Sequence, residues 1–213
     1  MKLTRLALFA TGFTFISTLI SGCTIFPEAE PLEVYRLPAA QAPASGGSSA
    51  TQQWSLRLNK LQASEALNRP TIAVIPQGDV FSSYKASRWS DPAPVLLRNR
   101  LLDGFQRDGR VTLLSTDDSN FQADLELGGN LQAFQTEYQG TQASVVVRLD
   151  ALLVRGYDQR ILASRRFEER QPLNDVKVPA VVAGFGQASD RLTAKVVAWA
   201  VEQGQKLAPA PRP

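Results

Sequence analysis

"SDPAPVLLRNRLLDGFQRDG", residues 90–109, decides the fold. Asp91 is placed to cap a helix and Pro92 to occupy its first turn, where a missing N–H costs nothing. Leu97, Leu101 and Phe105 recur at four-residue spacing and form one apolar stripe, while Arg98, Arg100 and Gln106 fall away from it. Gly109 is the expected terminator. One helix near mid-chain separates the β-patterned segments into two groups.

Upstream, "WSLRLNKL" alternates Trp54, Leu56 and Leu58 with polar neighbours, the period of a half-buried strand. "TIAVIP" is a β-rich run ended by Pro76, Gly78-Asp79 marks a turn, and "VFSSYKASRW" reads as an exposed strand near a sheet edge. Downstream come "VTLLS", "FQADLELGGNLQAFQTEY", "ASVVVRLDALLV" and "RILASRRFEER", with "RGYDQ" as the turn before the last. Leu125, Leu127, Leu131 and Ala133 are expected on one face, with a bulge or bend at Gly128-Gly129. Val145, Val147, Leu149, Ala151 and Leu153 share a face in the next strand. A second helix runs from about Pro179 to Gly204, with Val181, Val182, Phe185, Leu192, Val196 and Trp199 at helical spacing. Strands, helix, strand meander, helix: the order predicts an α+β fold, a single largely antiparallel sheet with two helices packed on one face.

The N-terminus reads as an address. Lys2 and Arg5 precede an apolar run from Leu6 to Ile20, too short and too rich in Ser and Thr for a membrane span of ~20 residues. Ile20-Ser21-Gly22-Cys23 follows, and it holds the only cysteine of the chain. The pattern resembles a bacterial lipobox, which implies cleavage before Cys23 and acylation of its thiol. An uncleaved anchor and an ordinary secretory signal are the alternatives. Two or more acyl chains, at about 0.8 kcal/mol per buried CH₂, give stable anchoring. Residue 24 is Thr, not the Asp that retains many lipoproteins in the inner membrane, so the lipobox implies an outer-membrane anchor facing the periplasm. The expected organisation is a signal peptide over 1–22, an acylated N-terminus and flexible tether over 23–53, the α+β domain over 54–206 and a disordered tail over 207–213. Within the tether, "VYRLP" could pair as a strand, and "AAQAPASGGSSATQQ" lacks the apolar content to order itself.

Composition narrows the chemistry. Without Lys2 and Arg5 the 23 basic residues fall to 21 against 20 acidic, so a near-neutral mature chain gives no reason to expect nucleic acid. Histidine is absent, and with the one thiol consumed the His-based triads, Cys-His dyads and commonest zinc ligands are excluded. The expectation is a non-enzyme with no cofactor and no metal. A hydrolase working from carboxylates alone is the enzymatic rival.

Three places resemble the ABC-type transport auxiliary lipoprotein family, which includes paraquat-inducible protein C-like subunits. These are "YRLP" at Tyr35–Pro38, "YKASRWSDPAPVLLRNRLLDGF" at Tyr84–Phe105, and the meander followed by a long terminal helix. The resemblance implies a subunit that docks or assembles a lipid-transport system at the outer membrane. Its partners would be a mammalian-cell-entry substrate-binding protein and an ABC permease with its ATPase. The chain has no Walker-type phosphate loop, in keeping with an auxiliary part. Homo-oligomer formation stays open, and a structural lipoprotein of another envelope assembly machine is the alternative.

Tyr84 and Arg88 are the candidate partner contacts, while Trp89 is expected to close the core where strand meets helix. "TDDSN" reads as a solvated turn and not a calcium loop. Arg165, Arg166, Glu168, Glu169 and Arg170 read as a salt-laced exposed hairpin, and the glycines of "AGFGQAS" as close helix packing.

Overall fold

The computed structural model describes residues 31–40 and 51–207. The signal sequence, Cys23, and most of the expected tether and tail lie outside them. In chain order the elements are β1 (Glu33–Tyr35), β2 (Leu56–Leu58), β3 (Gln62–Ala63), β4 (Thr71–Ile75), β5 (Ser82–Trp89), α1 (Ala93–Asp108), β6 (Leu114–Thr116), β7 (Leu125–Gln139), β8 (Gln142–Arg155), β9 (Ile161–Leu173) and α2 (Val178–Leu207). The fold is α+β, one open sheet with both helices sharing its core.

β7 is the spine. Along one edge it pairs antiparallel with β8 over nearly its whole length, and β8 pairs antiparallel with β9. Along the other edge three short strands succeed one another, all parallel to it: Leu56 opposite Leu125, Gln62 opposite Asn130, and Ala73 opposite Gln135. β6 adds outside β2, while β5 pairs antiparallel outside β4 and β1 parallel outside β5. The long ladders are thus antiparallel, and the N-terminal strands make the sheet mixed. Of the strand expected within Val34–Pro38, only Val34 and Tyr35 pair, in β1, so the sheet begins before Trp54.

Val145, Val147, Leu149, Ala151 and Leu153 are all fully buried on the helix-bearing face, as their alternation predicts. In β7 the register slips between Leu131 and Ala133, not at the glycine pair. One extra residue reverses every later side chain. Phe134, opposite Val147, therefore takes the core position that alternation assigned to Ala133. Gly129 sits at φ +135, and a Cβ there would overlap the backbone of Asp150, which is why this position is glycine.

The stripe of α1 is buried as expected, with Leu97, Leu101 and Phe105 at most 1% exposed. Its start differs from the expectation. Pro92 occupies the cap position without a side-chain hydrogen bond, and its carbonyl receives the Val95 and Leu96 amides. Asp91 stands outside the helix and its carboxylate accepts the Ser90 hydroxyl. Gly109 ends the helix in the left-handed conformation, its N–H bonded to the Phe105 carbonyl. Arg98 and Arg100, expected away from the core, are both buried, because each finds carboxylates across the fold. α1 packs on α2 at Gly104, where a Cβ would overlap the Thr193 methyl. A Cβ at Gly184 would stand 2.7 Å from Leu173 and 3.2 Å from Val145, the close packing expected of "AGFGQAS".

Candidate functional site

The two candidate contacts sit in an irregular part of β5. Ser83 faces Ala73 and Arg88 faces Thr71, so β5 spends five residue steps where β4 spends two. The surplus bulges outward, and Ala86 within it has φ +50, a left-handed conformation costing a non-glycine roughly 1–2 kcal/mol. Beyond the bulge alternation resumes. Trp89 points inward, fully buried, with its ring edge-on to Phe185 at 5.2 Å and to Phe134 at 6.0 Å. It closes the core at the strand-to-helix junction. Arg88 therefore points outward, on the sheet face opposite the helices, and is exposed.

Tyr84 is placed differently. Its ring is half-buried, and its hydroxyl is enclosed beside Thr136 and Tyr138 without a fully formed hydrogen bond. Burial pushes its pKa up to about 12. Of the two candidates, Arg88 is exposed, while Tyr84 is half-buried and packs against the core.

The segment leading into the domain is clamped here. β1 pairs with the last residues of β5, Tyr35 against Trp89, and the Ser90 amide donates to the Tyr35 carbonyl. Beyond β1, the buried Arg100 guanidinium donates to the Pro38 carbonyl and pairs with Asp190 of α2. The Pro38 ring lies over Gly186, where a Cβ would stand 3.2 Å from it. β5, α1 and α2 all hold one short run of chain. Sequence reading missed Arg100 because its partners lie 62 and 90 residues away and leave no local pattern.

Other motifs are structural. Arg98 holds Asp117 at 2.5 Å and Asp118 at 2.8 Å, which ties the "TDDSN" turn to α1. Partial burial opposes ionisation of Asp117, yet the Lys60 amide and the Arg98 guanidinium keep its pKa below the usual carboxylate value. On the outer face of the meander, Arg148 pairs with Glu168, Arg166 with Asp150, and Arg170 with Glu137. Glu169 departs from the expected exposed hairpin. It points to the helix side, 9% exposed, between Arg191 and Lys195.

Two concavities open on the sheet. One of about 410 Å³ lies on the β4–β5 wing, lined by Arg69, Thr71, Phe81, Ser82 and Ser83 among others. The second, about 420 Å³, lies at the opposite end and is lined by Ser55, Arg57, Asp124, Glu126 and Tyr157. Exposed Phe121, Tyr157 and Ile161 lie at that same end of the sheet. Among the described residues no group of three or more Cys, Asp or Glu is placed to hold a metal ion. No helix of these residues is long and apolar enough to cross a membrane. The arrangement can hold a segment of chain and present a surface.

The family model described as the ABC-type transport auxiliary lipoprotein component matches residues 35–197, from β1 into α2. The uncharacterized protein bll6063 of Bradyrhizobium diazoefficiens is 29% identical over 157 residues, which cover 73% of this chain and 42% of that protein. The match therefore spans about two fifths of that relative's length. The crystal structure of protein XCC0632 from Xanthomonas campestris superposes with a TM-score of 0.75 at 25% identity, over 81% of this chain and 97% of that one. A crystal structure of another uncharacterized protein shares the fold, with a TM-score of 0.61 at 15% identity over 80% and 99% of the two chains. The chain belongs to the ABC-type transport auxiliary lipoprotein family.

Proposed function

We propose that this chain is a non-enzymatic subunit of a mammalian-cell-entry lipid-transport system, anchored in the outer membrane through acylated Cys23 and facing the periplasm. Its work is mechanical. The acyl chains fix one end, and the domain docks a substrate-binding partner that crosses the periplasm from an ABC permease and its ATPase. One observation carries this reading: the run Glu33–Pro38, which enters the domain downstream of Cys23, is clamped by β5, α1 and α2. A pull on Cys23 is therefore delivered to the body of the domain and not to a loose end. The absence of histidine from the chain supports the non-enzymatic role.

The test is Cys23→Ala in the native host. The variant is expected to leave the outer-membrane fraction, to stop recovering the mammalian-cell-entry protein in membrane pull-downs, and to lose transport. Wild-type membrane retention and transport in that variant would refute the reading. Pull-down of a barrel-assembly machine in place of the transport partner would move the protein to another envelope complex.

A further inference from the structure

We infer that the outer face of the β1–β5–β4 wing rests on the phospholipid bilayer beside the anchor. The inference builds on acylation of Cys23 and adds which surface meets the lipid. Val34, Arg88 and Thr71 stand in register across this wing on the sheet face opposite the helices, since their neighbours Ser87 and Trp89 point into the core. Val34 is 53% exposed, and Leu32 and Phe81 are exposed close by. Phe81 walls the groove that also holds Arg69. The meander's half of the same face carries an ion-pair ladder instead, with Arg148, Arg166 and Arg170 each matched to a carboxylate.

The cations of the wing differ. Arg69, Lys85 and Arg88 are exposed and make no salt bridge among the described residues, although Glu33, Glu65 and Asp79 lie on the same wing. Unmatched guanidinium groups beside apolar side chains suit a headgroup layer, where phosphates take the forks and Phe81 and Val34 enter the interface. Chain length points to the same occupant. Nine residue steps separate Cys23 from Leu32, which allows a reach of about 30 Å even when fully extended. The chain enters the fold at this wing, so an acylated Cys23 keeps the wing within that distance of the bilayer.

The experiment uses the full, acylated chain in vesicles of phosphatidylethanolamine and phosphatidylglycerol. A bimane dye is attached at Ser83→Cys on the wing or at Arg160→Cys in the β8–β9 turn, and doxyl-labelled lipid is the quencher. Quenching at 83 and its absence at 160 is the expected result. Adding Arg69→Gln and Arg88→Gln lowers the contacting fraction about fivefold per charge on these vesicles, and barely on phosphatidylcholine alone. Flotation of the same samples separates the two claims. A protein that floats with residue 83 unquenched, quenched no more than 160, or shielded only after partner protein is added overturns the wing contact while leaving the anchor intact. A protein that does not float removes the anchor, and the wing contact with it.

Discussion

Replacing Arg100 by Met tests whether the clamp on the entering chain holds the domain together. The guanidinium is 5% exposed and its Asp190 partner 13%, so the pair lies in a low-dielectric setting. Breaking a pair this buried from one side costs about 3–5 kcal/mol, because the remaining charge keeps its desolvation penalty. The charge-assisted bond to the Pro38 carbonyl accounts for roughly 1.5–3 kcal/mol of that loss and is not additional to it. Met keeps an unbranched apolar stem of similar length, so the volume filled changes little. Against a whole-domain stability of about 5–15 kcal/mol, the variant should fold but unfold at much lower urea, with an unchanged slope. Asp190→Asn keeps an acceptor and the Pro38 bond but leaves the more buried guanidinium without its countercharge, so it should cost a similar amount. Local release has its own signature. The Ser90 amide, bonded to Tyr35, should lose hydrogen-exchange protection in Arg100→Met while the β7–β8 ladder keeps its own. A cost below about 1 kcal/mol with Ser90 still protected would show that the clamp contributes little.

Two further outcomes follow from the packing. Gly104→Ala drives a methyl into Thr193 and should cost about 1–3 kcal/mol in denaturant titration, with Thr193→Ser restoring part of it; a neutral Gly104→Ala would mean that the helices can separate freely. Tyr84 is neutral in the fold with a pKa near 12 against an ordinary 10, so its stabilising contribution is complete below pH 10 and is lost as pH rises from 10 to 12. After discounting for the exposed part of the ring this amounts to about 1–2 kcal/mol, to be read as a falling urea midpoint over that window. Tyr84→Phe removes an enclosed hydroxyl, so it should leave neutral-pH stability nearly unchanged and flatten the alkaline decline. An unaltered decline in that variant assigns the titration to another group.

What sequence reading captured had a local cause. The Val145–Leu153 alternation, the Leu97–Phe105 stripe and Gly109 each follow from a period or a backbone preference confined to a few residues. What it missed depends on distant partners. Alternation through Gln132 cannot show that one residue is surplus there, because the surplus is defined by β8, so Ala133 was given the place of Phe134. Nothing in "LRL", "QA" or "TIAVI" shows that all three run parallel along a single later strand. Arg98 and Arg100 read as solvated because the carboxylates that draw them inward belong to a following turn and to α2. For the candidate site, the core position of Trp89 was local and legible. The closure around Pro38 was not.

The dependence of β2, β3 and β4 on β7 also sets an order of assembly. Their partner residues lie about 60 to 70 positions further along, so a ribosome delivers three short strands well before the strand that completes them. The β7–β8–β9 meander can form from neighbouring sequence, whereas the first half of the chain must wait and then close large loops. Until then its strand edges are open to the wrong partners. A truncation that removes β7 should therefore leave the preceding residues unfolded and in need of a chaperone.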